Sequence, residues 1–313
     1  MLLRGLKRHV KTGVVGQLAA VVTVADDGGS SGRLRRDFGM LPPGDVRSCI
    51  AALADDEHLL SRLFQYRFPG GEGLAGHSFG NLFLAALAAV TGSFYQAILE
   101  TEHILSVRGR ILPSTLESVQ LLARGASGAL YQGESAIGRA GERLRRVELA
   151  PADAAAFPQA VEALRAADVV VLGPGSLFTS IVPNLLIPGI RQALRETEAL
   201  VILPLNLMTQ PGETEALDAL DHLAVVQEHL GADGVDLVLV SSRPPAPERL
   251  APYVREGAVP VAVAAERLAA RGVEVMEADL LAEGELIRHD AEKLADAMLE
   301  AWRAASLLGE ARR

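Results

Sequence analysis

The sequence predicts an α/β fold: a mostly parallel sheet with helices on both faces and a small β-hairpin insertion. Three observations point there. From residue 153 onward, short runs of Val, Leu and Ile alternate with segments of helical length, the pattern of parallel strands joined by crossover helices. The clearest strands run into loops rich in Gly, Ser and Asp, and ligands of such sheets gather at the carboxyl ends of strands. The 313 residues are 49% hydrophobic but only 4% aromatic, a mix that suits sheets covered by helices and can bury a large core. One domain covering 1–313 is expected.

Taken in order, residues 1–16 read as a short basic helix fraying at Gly13 and Gly16, and 18–25 as the first strand. The turn at 41–45 leads into a helix for which Asp45 is placed as N-cap, running through Ile50 and Leu53 toward Asp55; a second helical piece covers about 57–66. Pro69-Gly70-Gly71-Glu72-Gly73 then breaks the chain. Residues 82–90 are apolar nearly all round and predict a buried helix, followed by another from about 94 to 105. Residues 107–149 change character: apolar 119–122, the Gly-containing loop 124–128 and 129–131 make a hairpin, and 143–149 alternates as a further strand. This block is the β insertion. A helix at 153–166, a strand at 168–172, a helix after Ser176, a strand at 199–204, a helix at about 213–230 and a strand at 235–240 follow. Pro244, Pro245 and Pro247 close that strand. A shorter helix, weak strands near 259–263 and 273–276, and a last helix from about Ala291, within a C-terminal helical segment of about 285–313, complete the chain.

The totals exclude several classes. The single cysteine, Cys49, rules out an intramolecular disulfide, and its apolar helical pattern with Ile50 and Leu53 makes it a core residue. A net charge of −9 argues against nucleic acid, whose non-specific binding rests on phosphate neutralisation. Basic residues still cluster at Arg4, Lys7, Arg8 and Lys11, at 33–36 and at 139–146, which leaves a small anionic ligand open. No apolar run is long enough for a membrane span, and the N-terminus carries no secretory signal, so a cytoplasmic protein is expected. Self-association into a homo-oligomer stays open.

Three loops carry the chemistry. In the first, the strand ends in Asp26-Asp27-Gly28-Gly29-Ser30-Ser31-Gly32-Arg33: two carboxylates, then small residues whose backbone can approach a ligand, then a cation. An ordinary strand-to-helix turn with solvated charges is the alternative. The second, Gly173-Pro174-Gly175-Ser176, follows a buried strand and precedes a helix, where backbone N–H groups meet an anion. Phe178 stands where a dinucleotide fingerprint would need its third glycine. The third, 203–214, offers Asn206, Thr209 and Gln210, uncharged groups suited to a base or sugar hydroxyls. A fourth stretch, Gly76-His77-Ser78-Phe79-Gly80, matches a nucleophile elbow letter for letter, but the loop before it cannot be the strand that elbow requires. Ser78 reads instead as the N-cap of the apolar helix, with His77 and Asn81 flanking a helix start able to hold phosphate. Arg47 joins these as a candidate ligand-binding residue. No His/Cys cluster has metal-ligand spacing. Asp26 or Asp27 could hold Mg²⁺ beside a phosphate, or could contact ribose or sugar hydroxyls.

With these residues in hand, the chain resembles the YvcK-type gluconeogenesis factors, relatives of the phospholactate transferase CofD. The resemblance rests on the strand and loop through 22–35, Gly39-Met40-Leu41-Pro42-Pro43-Gly44-Asp45, Gly76-His77-Ser78-Phe79-Gly80-Asn81, Leu112-Pro113-Ser114-Thr115, 173–184 and Met208-Thr209-Gln210-Pro211-Gly212-Glu213-Thr214. It implies a Rossmann-like fold, a nucleotide-sugar ligand of the UDP-N-acetylglucosamine kind, and a role linking carbon metabolism to cell shape and envelope synthesis. The CofD relatives transfer a phospholactyl group with Mg²⁺, which makes a transferase the alternative to a binding regulator. One departure stands out: the family opens with an apolar strand and a Gly-rich loop ahead of the segment matching Leu2-Leu3-Arg4-Gly5-Leu6-Lys7, whereas this sequence begins at Met1, and a start further upstream is expected.

Overall fold

A computed structural model of the chain describes residues 1–54 and 59–311. Helix α1 (Leu2–Lys11) leads into strand β1 (Ala19–Val22), whose carboxyl end delivers residues 23–28 to helix α2 (Gly29–Phe38). Gly39 ends α2 at φ +64°, a left-handed cap that suits glycine. Helices α3 (Gly44–Leu53), α4 (Leu59–Gln65), α5 (Phe79–Thr91) and α6 (Phe94–Ile104) come next. Strand β2 (Arg110–Pro113) then pairs in parallel with β1, Ala19 opposite Arg110 and Val22 opposite Pro113.

An antiparallel sheet interrupts the α/β pattern. Strands β3 (Gln120–Gly125) and β4 (Leu130–Gln132) form the expected hairpin, helix α7 (Glu134–Ile137) follows, and β5 (Leu144–Ala150) lies on the other side of β3. Arg124 faces Arg146 but Gly125 faces Leu144, so Arg145 is the extra residue of a β-bulge.

The chain then returns to α/β. Helix α8 (Pro158–Arg165), β6 (Val169–Val171), a π-helical turn (Leu177–Ile181), α9 (Val182–Leu186), α10 (Pro188–Glu196) and β7 (Leu200–Pro204) are followed by α11 (Ala219–Leu230) and β8 (Leu237–Ser241). Helices α12 (Pro247–Arg255) and α13 (Ala265–Ala269), strand β9 (Glu274–Ala278) and α14 (Ala291–Ala311) complete it. Strands β6, β7, β8 and β9 stand side by side in sequence order, all parallel.

The alternation of β8 explains why helices cover both faces. Val238 and Val240 enter one apolar cluster, with Val226 of α11; Leu237 and Leu239 enter another, with Leu2 and Leu6 of α1 and Leu294 and Met298 of α14. A strand buried on both sides reads as the continuous apolar run seen in the sequence. The first of these clusters also takes in Leu121, Val147 and Leu149 of the antiparallel sheet. A third, built on Val22, Val46, Ile50, Phe64, Leu84 and Ile98, fills the space under α3–α6.

Several expectations are corrected. Asp45 does not cap α3: Pro43 occupies the N-cap position, and Asp45 sits in the first turn. Residues 57–58 of the second helical piece, and the Asp55 end of the first, lie outside the described residues; 59–65 form α4. The apolar helix α5 is not buried all round, because only its Gly80, Asn81 and Leu84 are buried and Val90 is 83% exposed. The helix expected from 213 begins at Ala219, where Asp218 and Asp221 form a reciprocal capping box. Residues 259–263 make only an isolated bridge, Pro260 to Met208. Of the C-terminal segment, 285–290 is not helical, and His289 bridges to Leu281. No helix among the described residues is long and apolar enough to cross a membrane.

Candidate functional site

The first loop turns on Asp26. Its Oδ1 accepts from the Gly28 N–H at 2.8 Å, an Asx turn that bends the chain leaving β1 into α2. The first turn of α2 is Gly29-Ser30-Ser31-Gly32, with no side-chain cap, so its leading N–H groups face outward from the helix end. Only glycine fits at 32, where a Cβ would lie 1.9 Å from the Asp27 carbonyl oxygen. At Gly44, which opens α3, a Cβ would meet Ser31 Oγ at 2.4 Å and Asp26 Oδ2 at 2.6 Å. The two loops therefore close on one another.

A second helix start faces the first. Ser78 caps α5 by accepting from the Asn81 N–H, as the sequence led one to expect. The Asn81 amide donates in turn to Ser30 Oγ at 3.0 Å, and Ser30 Oγ lies 2.8 Å from His77 Nδ1. All four side chains belong to buried residues. Burial, reinforced by the Arg33 cation, lowers the His77 pKa and favours a neutral ring. Arg33 Nη2 donates to the Ala75 carbonyl and Arg67 Nη1 to that of Gly76, which anchors the loop before α5. Arg47 runs along α5, within 3.0 Å of where a Gly80 Cβ would stand. The Nε atoms of Arg33 and Arg47 are buried without a protein partner.

Carboxylates crowd the other side of the first loop. Asp27 Oδ1 accepts from the Ser135 N–H at 2.9 Å, which fastens the start of α7 to the loop. Burial, then the charges of Asp45, Asp26, Asp27 and Glu213, pushes Glu134 up to about 8. Burial and Asp26, opposed by Arg47, push Asp45 up to about 6. Glu134 Oε2 is buried without a partner. Among the described residues, no three or more His, Cys, Asp or Glu side chains converge closely enough to hold a metal ion by themselves.

The second and third loops join from β6 and β7. Gly173 takes φ +101°, the left-handed region that suits glycine. The Gly175 carbonyl accepts from Asn206 Nδ2 at 3.0 Å, and Ser176 Oγ accepts from Gln210 Nε2 at 2.8 Å. Glu213 Oε1 accepts from the N–H groups of Phe178 and Thr179 and so caps the π-helical turn. Burial raises the Glu213 pKa against these hydrogen bonds. A Gly212 Cβ would stand 2.9 Å from the Gly138 carbonyl, so this loop packs directly behind α7.

The structure thus brings together Asp26, Asp27, Gly28, Gly29, Ser30, Ser31, Gly32, Arg33, Arg47, His77, Ser78 and Asn81 around the two helix starts. Gly175 and Ser176 are tied to the third loop by Asn206 and Gln210, and Glu213 lies near enough to Glu134 for its charge to help raise that group. Thr209 stands apart: its N–H and Oγ1 are both spent on Val259, at 2.7 and 2.9 Å. Glu134 and Glu213 were not singled out in the sequence. Glu134 opens a four-residue helix inside the insertion, and no local pattern marks it; Glu213 stood in a recognised loop but read as a helix residue. Burial pushes the Cys49 thiol up to about 12, as befits a core residue, and His289 is buried against the Leu205 carbonyl at 3.1 Å.

Residues 1–281 match the family model of 2-phospho-L-lactate transferase CofD. The gluconeogenesis factor of Halalkalibacterium halodurans is 44% identical over 301 residues, which cover 96% of this chain and 92% of that protein. That of Bacillus subtilis is 42% identical over 301 residues, 96% of this chain and 93% of its own. A longer relative from Nostoc sp. is 44% identical over 96% of this chain, and the chain spans 65% of its length. A crystal structure of a Bacillus halodurans protein superimposes with a TM-score of 0.91 at 44% identity, covering 96% of both chains. A second, described as a member of the UPF0052 family, gives 0.90 over 95% of each.

Proposed function

This chain belongs to the family of the 2-phospho-L-lactate transferase CofD, and from that premise we propose that it is a gluconeogenesis factor acting as a nucleotide-sugar-binding regulator. The ligand is of the UDP-N-acetylglucosamine kind, and its binding links carbon metabolism to cell shape and cell-wall synthesis inside the cytoplasm. One observation carries the reading. The N-terminal ends of α2 and α5 are tied together through Ser30, His77 and Asn81, beside two arginines whose buried Nε–H groups have no protein acceptor. Converging helix N-termini and guanidinium donors suit the diphosphate of such a ligand. Ser176 and Gln210, whose Oε1 is also unpartnered, suit its hydroxyls or base. The shared apolar cluster behind both walls supports one domain for the whole chain.

The carboxylates favour a second reading, a CofD-like Mg²⁺-dependent phospholactyl transferase. Asp26 Oδ2 faces the cradle left by Gly44, and Glu134 Oε2 has no partner, so hard oxygen donors that suit Mg²⁺ lie beside the anion-binding side. Asp26, with Asp27 behind it, would hold the ion; its chemistry there is charge neutralisation on a phosphate. Calorimetric titration with UDP-N-acetylglucosamine, with and without Mg²⁺, separates the readings. Saturable binding without turnover supports the regulator, and product from a lactyl-nucleotide donor supports the transferase. No binding of either ligand overturns both.

A further inference from the structure

The antiparallel sheet ends in a strand with an open edge. β5 pairs with β3 on one side and, among the described residues, with no strand on the other. A groove of about 1270 Å³ runs along it, lined by the consecutive residues 143–149. Those residues alternate between buried and exposed faces of the sheet, and a groove can touch both only by following the strand's edge. The register gives the direction of the backbone. The Gly133 N–H donates to the Leu121 carbonyl, so Leu121 faces β4 and its opposite number, Leu149, faces away from β3. Two residues along, Val147 opposite Ala123 does the same. The N–H and C=O groups of Val147 and Leu149 thus point into the groove. Val182 and Leu186 of α9 form the opposing apolar wall.

The charge of the groove is unlike that of the chain. Four arginines line it against three carboxylates, in a protein of net charge −9. Arg143 stands 3.8 Å from Asp221 and Arg146 2.8 Å from Glu148, so two of the three acids are already matched. Arg145 and Arg191 have no carboxylate at ion-pair distance among the described residues. The bulge at Arg145 is what exposes it beside Arg146.

We propose that this edge takes an extended acidic segment of a partner protein as an added strand. Backbone hydrogen bonds to Val147 and Leu149 fix its register, apolar side chains on one of its faces meet the α9 wall, with Arg191 of α10 on that same helical side, and acidic side chains on the other meet Arg145. The segment therefore alternates acidic and apolar residues. A bulge and arginines can instead serve only to keep an edge from pairing, and the test separates the two.

The probe is a fluorescein-labelled peptide alternating glutamate and valine, followed by anisotropy with the full chain, beside its lysine–valine counterpart and a glutamate–valine peptide N-methylated at alternate residues. Saturable binding of the glutamate peptide alone is expected, weakened about fivefold or more by Arg145→Glu and by Val147→Pro, which removes an outward N–H without touching the β3 ladder. Arg145→Glu lies on an exposed side chain, so it keeps the test open should Val147→Pro fail to fold. Equal binding of the N-methylated peptide, equal binding of the lysine peptide, or no binding overturns the proposal. So does a dimer that Arg145→Glu dissociates while the peptide fails to compete, because the edge would then pair with a second copy of this chain.

Discussion

Ser30 Oγ lies 2.8 Å from His77 Nδ1, joining the first turn of α2 to the residue that precedes the cap of α5. Because Ser30 also accepts from Asn81 Nδ2, its own O–H is assigned to Nδ1, which leaves the ring proton of a neutral His77 on Nε2. Replacing Ser30 by Ala strips a donor and an acceptor from a buried network. A loss of about 1–3 kcal/mol in urea denaturation is expected, together with weaker nucleotide-sugar binding by calorimetry. Stability equal to that of the unmodified protein would show that the two helix starts are held by other contacts.

The carboxylate crowd sets a pH dependence whose sign follows from the direction of the shifts. Glu134 is raised from 4.5 to about 8 and Asp45 from 3.8 to about 6, so the folded chain binds more protons than the unfolded one in between. Stability is therefore greatest below the unfolded values, declines from about pH 4 upward as the unfolded chain loses its protons first, and levels off above about 6 for Asp45 and about 8 for Glu134. Glu134→Gln removes the upper part of that decline and stabilises the protein at alkaline pH by something on the order of 2 kcal/mol. Denaturation midpoints measured across this range should converge below about pH 4 and separate progressively up to about pH 8; parallel curves would show that the Glu134 pKa is not raised in the folded state.

Asp26→Ala should weaken ligand binding while leaving the fold intact. The Asx turn to Gly28 is lost, which costs roughly 1 kcal/mol, but β1 and α2 keep their packing through Val22 and Leu34. Removing Asp26 also lowers the pKa values of Asp45 and Glu134, since its charge helps to raise both. Unchanged affinity by calorimetry would remove Asp26 from the site.

The parts of this arrangement that were readable in the sequence are those fixed by local pattern. β8 could be placed because both its faces are apolar, the β3–β4 hairpin because a Gly loop separates two short apolar runs, and the Ser78 cap because a hydroxyl precedes an apolar helical stretch. The cradle around Asp27 could not. Gly133 and Ser135 lie more than a hundred positions away, and what makes Gly133 necessary is the approach of Asp27 rather than anything adjacent in the chain. Thr209 misled for a related reason. Its hydroxyl looked available beside Gln210, but Val259 claims it from a segment expected to be a strand. Apolarity alone also overstated the burial of α5, whose outward side carries Ala86, Ala89 and Val90.

Gly133→Ala tests that cradle directly. Gly133 holds φ +86°, where an L side chain is strained, and its Cβ would stand 1.6 Å from Asp27 Oδ2, so the carboxylate has to move. Moving it breaks the hydrogen bond from the Ser135 N–H and frees the start of α7, and with it Glu134. The hydrogen bond from the Gly133 N–H to the Leu121 carbonyl, which ends the β3–β4 ladder, is placed under the same strain. A destabilisation of about 1–3 kcal/mol is expected from the backbone strain and the lost bond together. The same variant should flatten the decline of the pH–stability curve up to about pH 8, because Glu134 loses the burial and then the neighbouring charges that raise its pKa. A Gly133→Ala protein as stable as the parent, with an unchanged curve, would mean that Asp27 and α7 are not coupled in this way.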